Sequence, residues 1–399
     1  MPLSEYVERI EPSPTMAIDA KAKQMQRDGI DVISLAAGEP DFDTPDHIKE
    51  AGIQAIRDGH TKYTQAAGIP ELKEAIVQRL AADDGLEYTP DQVIVNCGGK
   101  HTLYLAVATL VSPGDEVIVP APYWVSSSEQ PKLVGGNTVI VQTTEADGLK
   151  LTAQRFREAI TPKTKIVVIN SPSNPSGAVY TRQELEAVAE VAVEHGIYML
   201  SDEIYDKLIY DGVEHVSIAS LSEQAKALTI VVKGVSKSYA MTGWRVGYAA
   251  GPTEVIAGMI KAQMQILSHT SSISQRAAVT ALTGPQECVE QMRQEYDRRR
   301  QRIVEGFNKI EGLRCPMPKG AFYAYPDISA HFSRSRPGGA RIGDGTGLCD
   351  YLLDEARVAC VPGIGFGTHE HMRVSYATSM EKIDEALSRI GTTLGKLES

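Results

Sequence analysis

The chain has 399 residues, 42% of them hydrophobic and 23% charged, so it can bury a large core and is longer than one typical domain requires. Its formal net charge of −11 opposes general binding to nucleic acid or to an anionic membrane surface, since both favour basic patches. The longest apolar runs are of strand length, far short of a bilayer span, and the opening MPLSEYVERIEPSP is acidic without the apolar stretch of a secretory signal, so the cytoplasm is the expected location.

From about residue 48 to 290, helical patterns alternate with short β-branched runs: QVIVN at 92–96, DEVIVP at 115–120, KIVVIN at 165–170, IYMLSD at 197–202, LTIVVKG at 228–234 and VGYAAG at 246–251. This alternation predicts an α/β fold with a largely parallel sheet, because parallel strands need crossover connections and helices supply them. After residue 290, EQMRQEYDRRRQRIVEGFNKI predicts a long, charge-laced helix, followed by AFYAYP, VACVPG and MRVSYAT as strand candidates of a smaller α+β unit. Residues 333–347, SRSRPGGARIGDGTG, lack periodicity and are expected to form a loop or mobile surface excursion. There is no internal repeat and no long linker between the two blocks, which predicts an extensive interface between them.

The sharpest chemical segment is VVKGVSKSYAMTGWRVGYAAG, residues 231–251, where an apolar strand runs into a small-residue loop carrying Ser236, Lys237 and then Arg245. A lysine at a strand end can form an imine with an aldehyde, be displaced from it and then shuttle a proton; taken alone, it would be an ordinary solvated lysine. In IYMLSDEIYDKL, residues 197–208, Asp202 stands just beyond an apolar strand, with Tyr205 close behind. NCGGKHTLYLAVATL at 96–110 offers a strand, a Gly98-Gly99 turn and a helix start, where bare backbone and unpaired N–H groups favour an anion. It does not fit the phosphate-loop pattern, which requires GK[ST]. NSPSNPSG at 170–177 reads by itself as a turn. The five cysteines, Cys97, Cys288, Cys315, Cys349 and Cys360, have no CxxC pair, and HEH at 369–371 lacks the i, i+4 spacing of a helical zinc pair. Free thiols and no metal are the expectation.

Ser236-Lys237 followed by Gly243-x-Arg245-x-Gly247 resembles the cofactor-lysine signature of class I aminotransferases, fold type I of the pyridoxal phosphate enzymes, and the resemblance continues in order from about residue 12 to 390. It implies a large cofactor domain over 48–290 around a mostly parallel seven-stranded sheet, with a smaller α+β domain built from both termini, residues 1–47 and 291–399. It further implies pyridoxal 5′-phosphate held as an imine on Lys237, with the phosphate bound by Ser236, Arg245 and the turn Gly98, Gly99 and Lys100. Asp202 would pair with the pyridine nitrogen, Tyr205 and Asn174 would reach the phenolic oxygen, and Trp124 would stack on the ring, with Trp124 and Asn174 also facing substrate. Tyr63, in TKYTQAAGIPELKEAI, matches a tyrosine that reaches the phosphate from the neighbouring subunit, which implies a homodimer with shared active sites. Gly38, in AAGEPDFDTP, and Arg373, in HMRVSYAT, match groups that bind the substrate α-carboxylate.

The reaction implied is ping-pong transamination between small amino acids and 2-oxo acids, with Lys237 moving the α-proton. SPT at 13–15 together with GGK at 98–100 resembles bacterial aspartate aminotransferases of the subgroup that includes prephenate aminotransferases, in which Thr15 and Lys100 would contact the distal carboxylate. The expected substrates are L-aspartate and 2-oxoglutarate, with prephenate or aromatic amino acids as the alternative. LSHTSSIS at 267–274 departs from other aspartate aminotransferases, which carry a distal-carboxylate arginine there; the first arginine is Arg276. The same cofactor residues would also serve another fold type I enzyme breaking a different bond at Cα, such as a decarboxylase or a cyclopropane-carboxylate synthase. A regulator built on such a domain would add a basic DNA-binding module, which the residues before 12 do not supply.

Overall fold

The computed structural model describes residues 3–12 and 14–398, so Ser13 of the SPT run lies outside the described residues. Seven strands form one sheet in the spatial order Val93–Asn96, Gly247–Ala250, Thr229–Gly234, Tyr198–Asp202, Thr164–Asn170, Glu116–Ala121 and Asn137–Gln142. Only Gly247–Ala250 runs against its neighbours; the other pairs are parallel. Six of these strands are the β-branched runs of the sequence. They are nearly continuous in apolar residues because both sheet faces are covered. Ile166 and Val168 pack on one face with Leu103, Leu105 and Ile256 from the helices Gly99–Leu110 and Thr253–Ile266. Val167 and Ile169 pack on the other with Leu185 and Val188 of Arg182–His195. Each such fully buried aliphatic side chain contributes about 1.5–3 kcal/mol.

The seventh strand, Asn137–Gln142, was not among the strand candidates. It lies at the sheet edge and only Val141 of its residues is buried, so little of its position is written as apolar pattern. The helix Pro14–Arg27 and the short strand Ile33–Ser34 were likewise not anticipated.

The long helix Glu287–Phe307 forms where the charged pattern predicts it and packs against the C-terminal helix Met380–Leu394. VACVPG is not one strand: Val358–Ala359 pairs in parallel with Ile33–Ser34, whereas Val361–Pro362 joins an antiparallel sheet with Met372–Ser375 and Tyr323–Ala324. One apolar core joins Ile33 and Leu35 from the N-terminal part to Ile303, Leu348, Val374 and Ile390. The expected loop 333–347 ends early, because Gly345–Tyr351 is a helix whose first turn is capped by the Asp344 carboxylate, accepting from the Gly347 N–H at 2.8 Å. Glycine at two of its first three positions hid that helix. All five cysteines are free, and among the described residues no helix is long and apolar enough to cross a membrane.

Candidate active site

Strand register gathers the chemical residues at one end of the strands of the large sheet. Asn170 lies opposite Asp202, Asp202 opposite Val232, and both Gly234 and Asn96 opposite Gly247. The turns leaving these strand ends carry Gly98, Gly99, Asn174 and Lys237, while Arg245 lies just ahead of Gly247 and Trp124 just beyond Glu116–Ala121. The carboxyl ends of parallel strands are where open α/β sheets form ligand crevices. Arg373, on Met372–Ser375, and Gly38 approach from the other side, held together by the Ser375 N–H donating to the Leu35 carbonyl at 2.8 Å.

The result is a cavity of about 460 Å³, within the range of small-molecule sites. Thr15, Gly38, Gly99, Lys100, Trp124 and Asn174 line it, as do Asp202, Tyr205, Ser236, Lys237, Arg245 and Arg373. Gly98 sits immediately behind, at the start of Gly99–Leu110. Tyr63 is elsewhere. It is 90% exposed and meets the His269 ring edge-on, 5.6 Å between centroids.

Lys237 donates from Nζ to the Gly38 carbonyl at 2.6 Å and lies 5.8 Å from the Phe322 ring centroid. Burial pushes its amine down to about 8, with Glu39 opposing the shift and Arg373 and Arg245 adding to it. Asp202 is shifted in the opposite sense: burial pushes its carboxyl up to about 7, against the Ile204 N–H that donates to Oδ1 at 3.3 Å. Asn170 links this aspartate to the neighbouring turn, donating from Nδ2 to the Asp202 carbonyl at 3.1 Å and accepting the Asn174 N–H at 2.7 Å. Two ionisable groups shifted toward neutral pH in one cleft mark a reactive site. Lys100 has its amine 5.0 Å from the Trp124 ring centroid, and burial, then the charge of Arg245, lowers its pKa.

Arg373 is 3% exposed and clasped between the rings of Tyr323 and Phe366, at 4.6 and 4.9 Å. Its Nη1 donates to the Asn174 side-chain oxygen at 3.0 Å and its Nη2 to the Ala36 carbonyl at 2.7 Å, while Nε is buried without a partner. A buried guanidinium with an unused donor beside a cavity suits a carboxylate ligand.

The anion cradle is built from bare backbone. Gly98 has φ +80°, and a Cβ there would lie 2.5 Å from Nη2 of Arg245; a Cβ on Gly247 would lie 2.5 Å from the Gly99 nitrogen. Arg245 can therefore stack its guanidinium against the N-terminus of a helix that spans 12 residues, with Ser236 on the adjoining turn. These donors fit a phosphate, and the buried Asp202 carboxylate fits a protonated ring nitrogen.

Sequence reasoning missed several cavity residues. Tyr323 shares a 2.8 Å hydrogen bond with the Tyr205 hydroxyl, and AFYAYP registered only as a strand. Glu39 accepts from the Thr242 hydroxyl at 3.1 Å, and Met16, Asp19, Lys23 and Gln26 line the opening from Pro14–Arg27. Helical periodicity over 14–27 was the signal available for that last group.

The aminotransferase class I and II family model matches residues 30–390. The chain is 49% identical to an aspartate aminotransferase of Geobacillus stearothermophilus, covering 98% of each chain. It is 47% identical to an aspartate/prephenate aminotransferase of Cereibacter sphaeroides, covering 97% of each. The crystal structure of an aspartate aminotransferase from Rhizobium meliloti superposes over 100% of both chains with a TM-score of 0.97 at 43% identity. With fold and sequence shared along nearly the whole length, the chain belongs to the aminotransferase class I and II family and is an aminotransferase.

Proposed function

We propose that the chain transfers the amino group of L-aspartate to 2-oxoglutarate with pyridoxal 5′-phosphate, yielding oxaloacetate and L-glutamate in a ping-pong cycle. The observation that carries this reading is one cavity holding the Lys237 amine, the Asp202 carboxyl and the buried Arg373 guanidinium. Bound pyridoxal phosphate supplies an aldehyde that takes up the amino group and an electron-poor ring that acidifies the α-carbon.

The protein's part is positioning and proton transfer. Lys237 would hold the cofactor, and its Nζ would take and return the α-proton of substrate; burial, which pushes its amine down to about 8, enlarges the neutral fraction that this needs. Asp202 holds a proton on the ring nitrogen, Tyr205 and Asn174 donate toward the phenolic oxygen, and Trp124 covers the ring face. Ser236, Arg245, Gly98, Gly99 and the Lys100 backbone hold the phosphate. Arg373 and the Gly38 backbone orient the α-carboxylate, and Thr15 with the Lys100 ammonium receives the distal one. In this reading residues 48–290 are the cofactor domain, and residues 1–47 with 291–399 form the smaller domain that folds over it.

The working unit is a cytoplasmic homodimer. Tyr63 does not line the 460 Å³ cavity of its own chain and packs beside His269, and Met264 and Ile266, 56% and 55% exposed, stand just before His269 in the sequence. A second copy covering these residues would receive Tyr63 at its phosphate site. Prephenate is the second reading, favoured by the resemblance to the aspartate/prephenate relative and by the aromatic lining that Trp124 and Tyr323 give the cavity.

The test is a half-reaction. Aspartate, glutamate, phenylalanine and tyrosine are each added to the pyridoxal phosphate-loaded protein without any keto acid. Conversion of the cofactor's absorbance band at the lowest concentration of aspartate supports the proposal. Failure of all four overturns it.

A further inference from the structure

Behind the cavity, on the far side of the large sheet, lies a buried charge cluster that the functional reading does not use. Lys233, on Thr229–Gly234, has a side chain only 4% exposed, and its Nζ meets Asp84 at 2.6 Å, Asp206 at 2.8 Å and Glu203 at 3.5 Å. Glu203 also accepts from the Ser201 and Ser217 hydroxyls, each at 2.7 Å, and meets His215 Nε2 at 3.0 Å. Asp84, Glu203 and His215 bring their ligand atoms within 4.8 Å of one another, as a metal site would, but the Lys233 ammonium already provides the cation there.

The sequence positions of these carboxylates give the cluster its meaning. Side chains alternate along Tyr198–Asp202, so Asp202 faces the cavity and Glu203 faces away. The last ladder bond of this segment is the Glu203 N–H to the Val232 carbonyl at 2.9 Å. Beyond it, residues 204–207 are a turn that carries Tyr205 into the cavity and Asp206 into the cluster. No strand partner fixes that turn. The Tyr205–Tyr323 hydroxyl contact and the Lys207–Asp83 ion pair at 2.7 Å hold its outer part, and the two ion pairs to Lys233 hold it from behind the sheet, at Glu203 and Asp206; Lys233 stands on the same strand that leads into Lys237.

We propose that Lys233 is a positioning residue for transamination: by holding Glu203 and Asp206 from behind the sheet, its ammonium fixes the turn that presents Asp202 and Tyr205 opposite Lys237. Burial disfavours this ammonium, yet the charges of Asp206, Glu203 and Asp84 hold its pKa well above the usual lysine range, so it stays charged. The balance reaches the cavity as well, because the Glu203 charge adds to burial in keeping the Asp202 carboxyl high. Removing the ammonium leaves buried carboxylates uncompensated next to Asp202 and frees the turn.

This inference rests on the reading of Asp202 and Tyr205 as cofactor contacts, and its test separates the two. Wild type, Lys233→Met and Lys233→Arg are loaded with pyridoxal phosphate, and the cofactor absorbance is titrated against pH alongside kcat and KM for aspartate. In Lys233→Met the titration midpoint moves by about half a pH unit or more, and kcat falls roughly tenfold or more from misplaced groups while KM stays within about twofold. Lys233→Arg, which keeps the charge, recovers part of both. A folded Lys233→Met with the wild-type midpoint and kcat overturns the proposal. If Lys233→Met does not fold, Asp206→Asn decides it: a displaced midpoint supports the role and an unchanged one overturns it. A wild-type protein that develops no cofactor band overturns the underlying reading, and this inference with it.

Discussion

Arg373 donates to the side-chain oxygen of Asn174 at 3.0 Å, so the residue proposed for the substrate carboxylate and one proposed for the cofactor's phenolic oxygen form a single hydrogen-bonded pair. Arg373→Ala removes charged hydrogen bonds worth about 1.5–3 kcal/mol and raises KM by roughly 10–100-fold. Because every amino acid has an α-carboxylate, the rise is the same for aspartate and phenylalanine; steady-state kinetics with both donors checks it, and a penalty confined to one contradicts the role.

Lys237→Ala abolishes the cofactor's imine absorbance and nearly all turnover, and a variant that transaminates like wild type removes Lys237 from the mechanism. The pH dependence is equally specific. Only a neutral amine attacks an aldehyde, and the Lys237 amine is pushed down to about 8. Stopped-flow capture of pyridoxal phosphate by the cofactor-free chain accelerates as pH rises through about 8 and levels above it. Continued acceleration to pH 10 would mean an unshifted lysine.

Asp202 gives a prediction of opposite sign in two states. Its folded pKa, about 7, lies above the unfolded carboxylate value, so the cofactor-free fold loses stability as pH rises from about 4 to 7. Asp202→Asn removes that loss and stabilises the cofactor-free chain at pH 8 by on the order of 1–3 kcal/mol. With cofactor bound, the same substitution removes the partner of the ring nitrogen and lowers kcat. Thermal melts with and without pyridoxal phosphate test both halves; destabilisation of the cofactor-free chain at pH 8 would contradict the first.

Lys100 lines the cavity with its amine against Trp124, beside the approach from Pro14–Arg27. Lys100→Ala lowers kcat/KM for aspartate and glutamate by roughly tenfold or more, the scale of one lost charged hydrogen bond, and leaves phenylalanine within about twofold. Equal losses with both donor types would assign the lysine to the cofactor phosphate instead.

The sequence by itself determined the elements that are buried on both faces and the loops that leave them. Val93–Asn96, Thr164–Asn170 and Thr229–Gly234 were legible because burial on both sides leaves room only for apolar, β-branched residues, and the Ser236-Lys237 and Gly98-Gly99 turns were legible because small residues there have a steric reason. The tertiary structure alone decided which distant groups meet. Asn137–Gln142 at an edge, Tyr323 against Tyr205 and Lys233 among three carboxylates carry no local pattern. Lys233 reads in the sequence as an interruption of an apolar strand; only the packing of Asp84, Glu203 and Asp206 around it makes a buried ammonium stable. Periodicity records which side of an element is dry, whereas partners brought together by chain reversal leave no trace in the residues between them.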